Sequence, residues 1–377
     1  MDFRFSEQEE LLRSKIKKFA EEKLAPLAEE ADERDEVSWE IVKLMAQNEI
    51  FRLTVPEEYG GVGMKAVTNC IVREELSRVS IHADVYYAEV VLCTFPINLY
   101  GTEDQKHRYL PPFASGEKLG SFALTEPDAG SDVSSMRATA TASGDSYILN
   151  GNKCFASVGP FAQTYLTFAR TDPAAGSKGI SAFIVDQGTP GFTGRPMKLM
   201  APHPIGEMAF VDCKVPAANL LGKPGKGLEV ALGSLDNARM GVGAGTIGMA
   251  RRAFEEALAY SKKRVAFGRT ISEFQSTQFK LAEMALEIDA AALLVYRAAW
   301  MKDVLGGRVT RESAMAKLYA TEMAQRVVDQ ALQLHGGYGV VRGMPVERLY
   351  RAVRQPRLYE GTTEIQKVVI ARQILSS

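Results

Sequence analysis

The sequence predicts an α+β protein, mostly α-helical, in which helices, a small β domain and a second set of helices follow one another. Three observations carry this. Apolar residues recur at helical spacing from residue 6 to about 118. From Ser121 to about Leu221 they fall into short alternating runs cut by glycine, proline and aspartate. From Gly227 onward the helical period returns and persists. A chain of 377 residues has room for two or three domains and a sizeable core.

The elements follow in order. Ser6-Glu-Gln-Glu9 is a capping box, and Leu11, Leu12, Ile16, Phe19 and Ala20 then mark a first helix. Trp39, Ile41, Val42, Leu44 and Met45 mark a second, broken by the turn chemistry of Pro56-Glu-Glu-Tyr-Gly-Gly61. Helices are expected at 65–79 and 83–100, then a short one from Gln105 to Phe113, stopped by Pro111-Pro112. Runs at 138–142, 146–149, 164–169, 180–185 and 208–212 read as strands of an antiparallel sheet or barrel. The closing helices are expected at 227–262, 273–305, 310–334, 346–353 and 362–375.

Composition excludes several classes of function. The net charge of −1, with basic and acidic residues interleaved, leaves no footprint for nucleic acid or an anionic membrane. No window approaches the apolar length of a membrane span. The N-terminus is charged at once and lacks the apolar region of a secretory signal. The four cysteines lie far apart without metal-ligand spacing, so no metal site is expected and reduced thiols are the default. A cytoplasmic protein is the expectation. Four scattered histidines make a His-centred mechanism a poor fit.

Several stretches carry candidate chemistry, each with a plainer reading beside it. Arg357-Leu-Tyr-Glu-Gly-Thr-Thr-Glu-Ile-Gln366 puts the carboxylate of Glu360 before a glycine, where the main chain can approach a ligand. That suits a general base beside a carbonyl clamp, or a solvated Glu at a turn. Thr125-Glu-Pro-Asp-Ala-Gly-Ser-Asp132 offers N–H and O–H groups to a polar ring or pyrophosphate, or is a capped turn. In Gly151-Asn-Lys-Cys-Phe-Ala-Ser157, Phe155 and Ser157 fall on one face of a strand and suit a flat heteroaromatic group, or a β core. Arg264 opens a loop that ends at Gln275; its guanidinium can pair with a pyrophosphate, or sit at a helix C-terminus. Gln333-Leu-His-Gly-Gly337 provides C-cap glycines or room for a cofactor. Gly243-Ala-Gly-Thr-Ile-Gly248 fits GxGxxG, but helical flanks make it a stripe of small residues for close helix packing, and a dinucleotide loop is rejected.

Taken in this order, and with Pro56–Gly61 and Gly101-Thr-Glu-Asp-Gln-Lys106, these motifs resemble the acyl-CoA dehydrogenase family over essentially the whole chain. The resemblance implies an N-terminal helical domain (1–118), a middle β-barrel domain (119–225) and a C-terminal four-helix bundle (226–377), in a homotetramer. It implies FAD held by Phe122, Leu124, Thr125, Gly130, Ser131, Phe155, Ala156 and Ser157, and by Arg264, Phe267, Gln275, Gln333, Gly337, Thr362 and Glu364. Ser131, Asp236, Arg239, Tyr359, Gly361 and Asp84 would face the acyl-CoA. Glu360 would take the α-proton while the β-hydride leaves to the flavin, giving a 2,3-enoyl-CoA, with an electron-transferring flavoprotein as acceptor.

The sequence also departs from the family. Phe155 and Ser157 stand where Trp and Thr are usual, and Leu199-Met-Ala-Pro-His-Pro-Ile-Gly-Glu207 implies a reshaped loop. Ala352 stands where an Asp often follows the arginine equivalent to Arg351. The resemblance implies that the helix at 83–100 lines the acyl pocket; Asp84, Tyr86, Tyr87 and Glu89 make it polar and aromatic, which suggests a short, branched or cyclic acyl group, and Pro202-His-Pro-Ile-Gly-Glu207 is similar to the stretch of alicyclic cyclohexanecarboxyl-CoA dehydrogenases. Asp84 is either a second proton acceptor for a 1,4-dehydrogenation or a solvent-facing Asp at a helix N-terminus. The competing readings are an oxidase, and a non-catalytic CoA-binding protein on the same fold.

Overall fold

The computed structural model describes residues 4–376. The N-terminal helices are α1 (Glu7–Phe19), α2 (Ala25–Ala31), α3 (Trp39–Gln47), α4 (Ala66–Ser77), α5 (Ile81–Tyr100) and α6 (Glu103–Ala114). Strands follow: β1 (Gly120–Ala123), β2 (Thr139–Ser143), β3 (Ser146–Ser157), β4 (Thr164–Arg170), β5 (Ile180–Asp186), β6 (Phe192–Pro196), β7 (Ile205–Pro216) and β8 (Leu220–Leu221). Then come α7 (Gly227–Lys263), the hairpin β9 (Val265–Ala266) and β10 (Arg269–Thr270), α8 (Gln275–Leu305), α9 (Thr310–His335), α10 (Pro345–Ala352) and α11 (Thr363–Leu375). The succession of helical, β and helical parts read from the sequence is the observed one. Among the described residues no helix is long and apolar enough to cross a membrane.

The chain forms two units. The first takes the residues up to Asp32, Lys65–Asp84 and those from Arg239 onward. Its core is built from small and flexible apolar side chains on α4, α7, α8 and α9, among them Ile71, Ala244, Ile247, Ala250, Val295, Ala316, Ala320 and Met323. Gly243, Gly245 and Gly248 lie within α7 and permit this closeness. A Cβ on Gly248 would fall 2.1 Å from the Glu74 carbonyl oxygen, and one on Gly243 would fall 2.7 Å from Val295. The GxGxxG stretch therefore packs helices. Charge also ties this unit together: the buried Glu74 carboxylate accepts from Arg13, Arg251 and Tyr296, each at 2.8 Å. Four helices, α1, α4, α7 and α8, meet at that one group.

The second unit comprises Glu33–Met64 and Val85–Ala238. Its sheet runs β6-β7-β3-β2-β4-β5-β8, with β1 added beside β4. Beneath the loop after β1, Lys153 is completely buried and donates to Glu126 at 2.8 Å and to the Leu124 carbonyl at 3.1 Å. Glu126 in turn accepts from the backbone N–H groups of Arg137 and Ala138. A buried lysine is tolerated because its charge and its hydrogen bonds are all met there. Gln105 on α6 donates to the carbonyls of Ala218 and Leu220 at 2.7 and 2.9 Å, fastening helix to sheet.

The structure corrects three expectations. Helix α6 starts at Glu103, before the expected Gln105, and carries Pro111 and Pro112 inside its last turn to end at Ala114, one residue past the expected Phe113; the carbonyls of both prolines accept, from the Ser115 N–H at 3.0 Å and the Lys118 N–H at 3.1 Å. The sheet is not wholly antiparallel; β1 and β2 both pair with β4 in parallel. The segment after Arg264 is not a plain loop but the hairpin β9–β10 and a 3₁₀ turn. All four cysteines, Cys70, Cys93, Cys154 and Cys213, are free and buried.

Candidate active site

In the first unit the chemistry gathers at Glu360, between a 3₁₀ turn (Gln355–Arg357) and α11. Its backbone is left-handed, with φ 53°, and Gly361 follows at φ 91°. A non-glycine residue held there is strained by roughly 1–2 kcal/mol, so neighbours must fix it. They do so through two carbonyls. Gln366 donates to Glu360 O at 3.1 Å and to Gly361 O at 2.8 Å, Lys317 donates to Gly361 O at 2.7 Å, and Arg239 lies 3.5 Å from Glu360 O. Thr362 caps α11 by accepting from the Ile365 N–H at 3.4 Å.

The side chain is the exceptional part. Glu360 Oε2 is enclosed and has no hydrogen-bond partner among the described residues. Burial pushes this carboxyl above its ordinary value; Arg73, Lys317 and Arg239 pull it back, and Asp84 adds to the rise. Burial also depresses Lys317, to about 8, against the opposing pull of Glu360. An enclosed carboxylate with a raised proton affinity and an open oxygen has the makings of a general base.

Asp84 is brought to this site but is not solvent-facing. It is buried, and both oxygens are taken by the guanidinium of Arg73, at 2.7 and 2.9 Å. That plainer reading of Asp84 is overturned. Burial works against the Arg73 charge, yet Asp84, helped by Glu360 and Tyr359, outweighs it and holds the guanidinium protonated. Arg73, Lys317 and Gln366 were not singled out in the sequence. Lys317 carried a signal: it interrupts the buried stripe of α9, where Ser313, Ala316, Ala320 and Ala324 are all inward.

Of the other candidates in this unit, Arg264 and Gly337 meet in one pocket of about 450 Å³, also lined by Tyr260, Ile271, His335 and Tyr338. Arg264 has no side-chain partner among the described residues. The His335 ring stacks on Tyr260 at 4.4 Å. Phe267, also left-handed at φ 52°, is 96% exposed, and Gln275, Gln333 and Glu364 are exposed outside the pocket lining. Arg351 pairs with Glu347 at 2.6 Å, an ion pair that does not need the residue Ala352 replaces.

In the second unit, Phe155 stands 55% exposed at φ 54°, where β3 shifts register against β7. Ala156 is buried and Ser157 half-buried. Ser157 Oγ lies 2.9 Å from His203 Nε2, so the Pro202-His-Pro204 loop reaches the strand expected to face a ring. The sequence hinted at this loop through its prolines but not at the contact. The Phe122 N–H donates to Glu89 at 2.9 Å; Leu124 is buried, Thr125 half-buried, and Gly130 and Ser131 are exposed. Asp236 is buried on α7.

Three family models match almost end to end: the acyl-CoA dehydrogenase N-terminal domain over residues 6–117, the middle domain over 121–213 and the C-terminal domain over 225–375. The chain belongs to the acyl-CoA dehydrogenase family and is an oxidoreductase of that family. It is 43% identical to a 3-(aryl)acrylate reductase of Clostridium sporogenes, over 98% of this chain and 99% of that one. It is 41% identical to a short-chain-specific acyl-CoA dehydrogenase of Clostridium acetobutylicum, over 99% of this chain and 100% of the other. The butyryl-CoA dehydrogenase of Megasphaera elsdenii superposes with a TM-score of 0.96 at 39% identity, each chain fully covered.

Proposed function

We propose that this protein is a FAD-dependent acyl-CoA dehydrogenase in which Glu360 removes the α-proton of a thioester. The observation that carries the reading is the enclosed, unpartnered Oε2 of Glu360. The residues fit the cofactor: Arg264, whose guanidinium has no side-chain partner among the described residues, lines a pocket in which Gly337 leaves open space, as a pyrophosphate needs, and Phe155 presents an exposed ring. FAD, when bound, supplies the two-electron acceptor for the hydrogen lost from the β-carbon. Phe122, Leu124, Thr125, Gly130, Ser131, Phe155, Ala156 and Ser157, with Arg264, Phe267, Gln275, Gln333, Gly337, Thr362 and Glu364, would hold it. Glu360 then acts twice. Its carboxylate accepts the α-proton, and its N–H, which has no partner among the described residues, donates to the thioester carbonyl as negative charge develops there. Ser131, Asp236, Arg239, Tyr359 and Gly361 would complete the thioester side.

The acyl group is short, branched or alicyclic in this reading. A buried ion pair beside the base is a poor surface for a long alkyl chain, whose burial gains nothing against desolvated charge. A 1,4-dehydrogenation with Asp84 as second base is the weaker alternative, since the guanidinium occupies both Asp84 oxygens. The similarity to a reductase leaves catalysis in the direction of enoyl reduction available to the same residues. An electron-transferring flavoprotein is the proposed electron partner and the cytoplasm the proposed location.

We further propose domains at 1–118, 119–225 and 226–377, which the three family matches support, and a homotetramer. Helix α8 supports the assembly: Phe279, Leu286, Leu293 and Trp300 are all exposed and recur every seven residues, an apolar stripe along one helix.

The test is direct. Purified with FAD, the protein is expected to be yellow and to bleach anaerobically with a short acyl-CoA, and Glu360→Gln is expected to slow bleaching by roughly 10²–10⁴-fold. A protein that stays colourless with FAD sinks the reading; bleaching at the wild-type rate in the variant removes Glu360 from the role of base.

A further inference from the structure

Lys317 lies in the middle of α9, on the face that enters the core, with Ala316, Ala320 and Thr321 buried around it. An ammonium in such a place is costly unless something holds it. Among the described residues it pairs with no carboxylate. Its Nζ donates instead to the carbonyl oxygen of Gly361, at 2.7 Å, one residue beyond the proposed base. The same oxygen accepts from Gln366 at 2.8 Å, and Gly361 lies at φ 91° directly after the left-handed Glu360. A core lysine has thus been spent on the backbone of the base loop rather than on an ion pair.

We propose that Lys317 is a positioning residue for proton transfer: through the Gly361 carbonyl it fixes the left-handed backbone that sets Glu360, and its charge keeps the Glu360 carboxyl ready to accept a proton. The inference rests on the reading of Glu360 as the base of a FAD-dependent dehydrogenase.

The surrounding charges single out this lysine. Glu360 faces Arg73 on α4, Arg239 on α7, Lys317 on α9 and Asp84 on α5. Lys317 itself faces Glu360, Arg239, Glu322 on its own helix and Glu364 on α11. The arginines stay charged at any working pH, and the charge of Arg73 is balanced by Asp84. Lys317 alone among these cations can lose its proton in a working range, and burial brings that loss down to about 8. As pH rises through that value, two things go together: the charge-assisted hydrogen bond that clamps the loop weakens, and the cation that favours the Glu360 carboxylate disappears.

The experiment compares flavin-loaded wild type, Lys317→Arg and Lys317→Met, with folding checked by thermal melts. The rate of anaerobic bleaching by a short acyl-CoA is followed from pH 5 to 10. Titration of the Glu360 carboxyl is followed separately, without substrate, by infrared difference against Glu360→Gln. The wild-type rate is expected to fall above about pH 8 and Lys317→Arg to lose that limb, because its charge persists. Lys317→Met is expected to raise the Glu360 carboxyl titration by at least about one pH unit. A limb near 8 that persists in folded Lys317→Arg overturns the proposal, and so does an unmoved Glu360 titration in folded Lys317→Met. Should Lys317→Met fail to fold, the arginine variant decides alone. A wild-type chain that takes up no FAD overturns the functional reading and this inference with it, whereas a yellow, bleachable wild type without these shifts overturns only the assignment to Lys317.

Discussion

At the scale of single residues, the centre is a balance of charges around one enclosed carboxyl. Asp84 raises the proton affinity of Glu360 and Arg73 lowers it, and the two are locked in one buried pair. Removing the Asp84 charge takes away the one neighbour among the described residues that raises the Glu360 carboxyl and leaves the pull of Arg73 unbalanced. Asp84→Asn is therefore expected to move the acid limb of the bleaching rate to lower pH, since Glu360 must be deprotonated to act. The same variant breaks a buried pair by altering one partner and is expected to cost about 3–5 kcal/mol of stability, read by denaturant unfolding. An acid limb that moves upward contradicts the charge assignment. The sequence offered Glu360 only as a carboxylate before a glycine, a local pattern that fits a solvated turn as well as a base, and the resemblance to the family is what proposed it as the base. Its partners were not legible: Arg73, Lys317 and Gln366 come from three different helices, and only the fold brings them together.

At the scale of elements, what could be read was what repeats. Helix periods placed α7, α8 and α9 within a residue or two, and alternation found β4 and β5. Short or irregular pieces escaped: β1 and β8 have too few residues for alternation to register, β6 is interrupted by Gly194 and Pro196, and β3 keeps pairing with β7 across a shift in register that no period announces. The small-residue stripe of α7 was read correctly as packing, and it makes a sharp prediction. Gly248→Ala places a methyl against the Glu74 backbone, which cannot swing aside as a side chain can. The expected loss is about 1–3 kcal/mol, with the helix content of the folded protein unchanged by circular dichroism. A neutral or stabilising effect, as expected for Gly→Ala in an open helix, would mean that α4 and α7 are not so close.

At the scale of the whole molecule, the exposed heptad on α8 marks a surface that a lone chain would leave wet. Leu293→Asp combined with Trp300→Asp is expected to shift the proposed assembly towards smaller species by sedimentation, with the unfolding midpoint lowered and less dependent on protein concentration. An unchanged mass would place the stripe outside any interface.

One feature of the core reaches further than its packing. The four cysteines are free and buried, Cys70 in the first unit and Cys93, Cys154 and Cys213 in the second. Burial pushes the Cys70 and Cys93 thiols well above their usual range, so neither reacts while its surroundings stay closed. The chain thereby carries its own clocks: each thiol is silent to an alkylating reagent until the local structure opens. Timing the labelling of Cys70 against that of Cys93 by mass spectrometry would measure the opening of each unit separately, with no probe introduced.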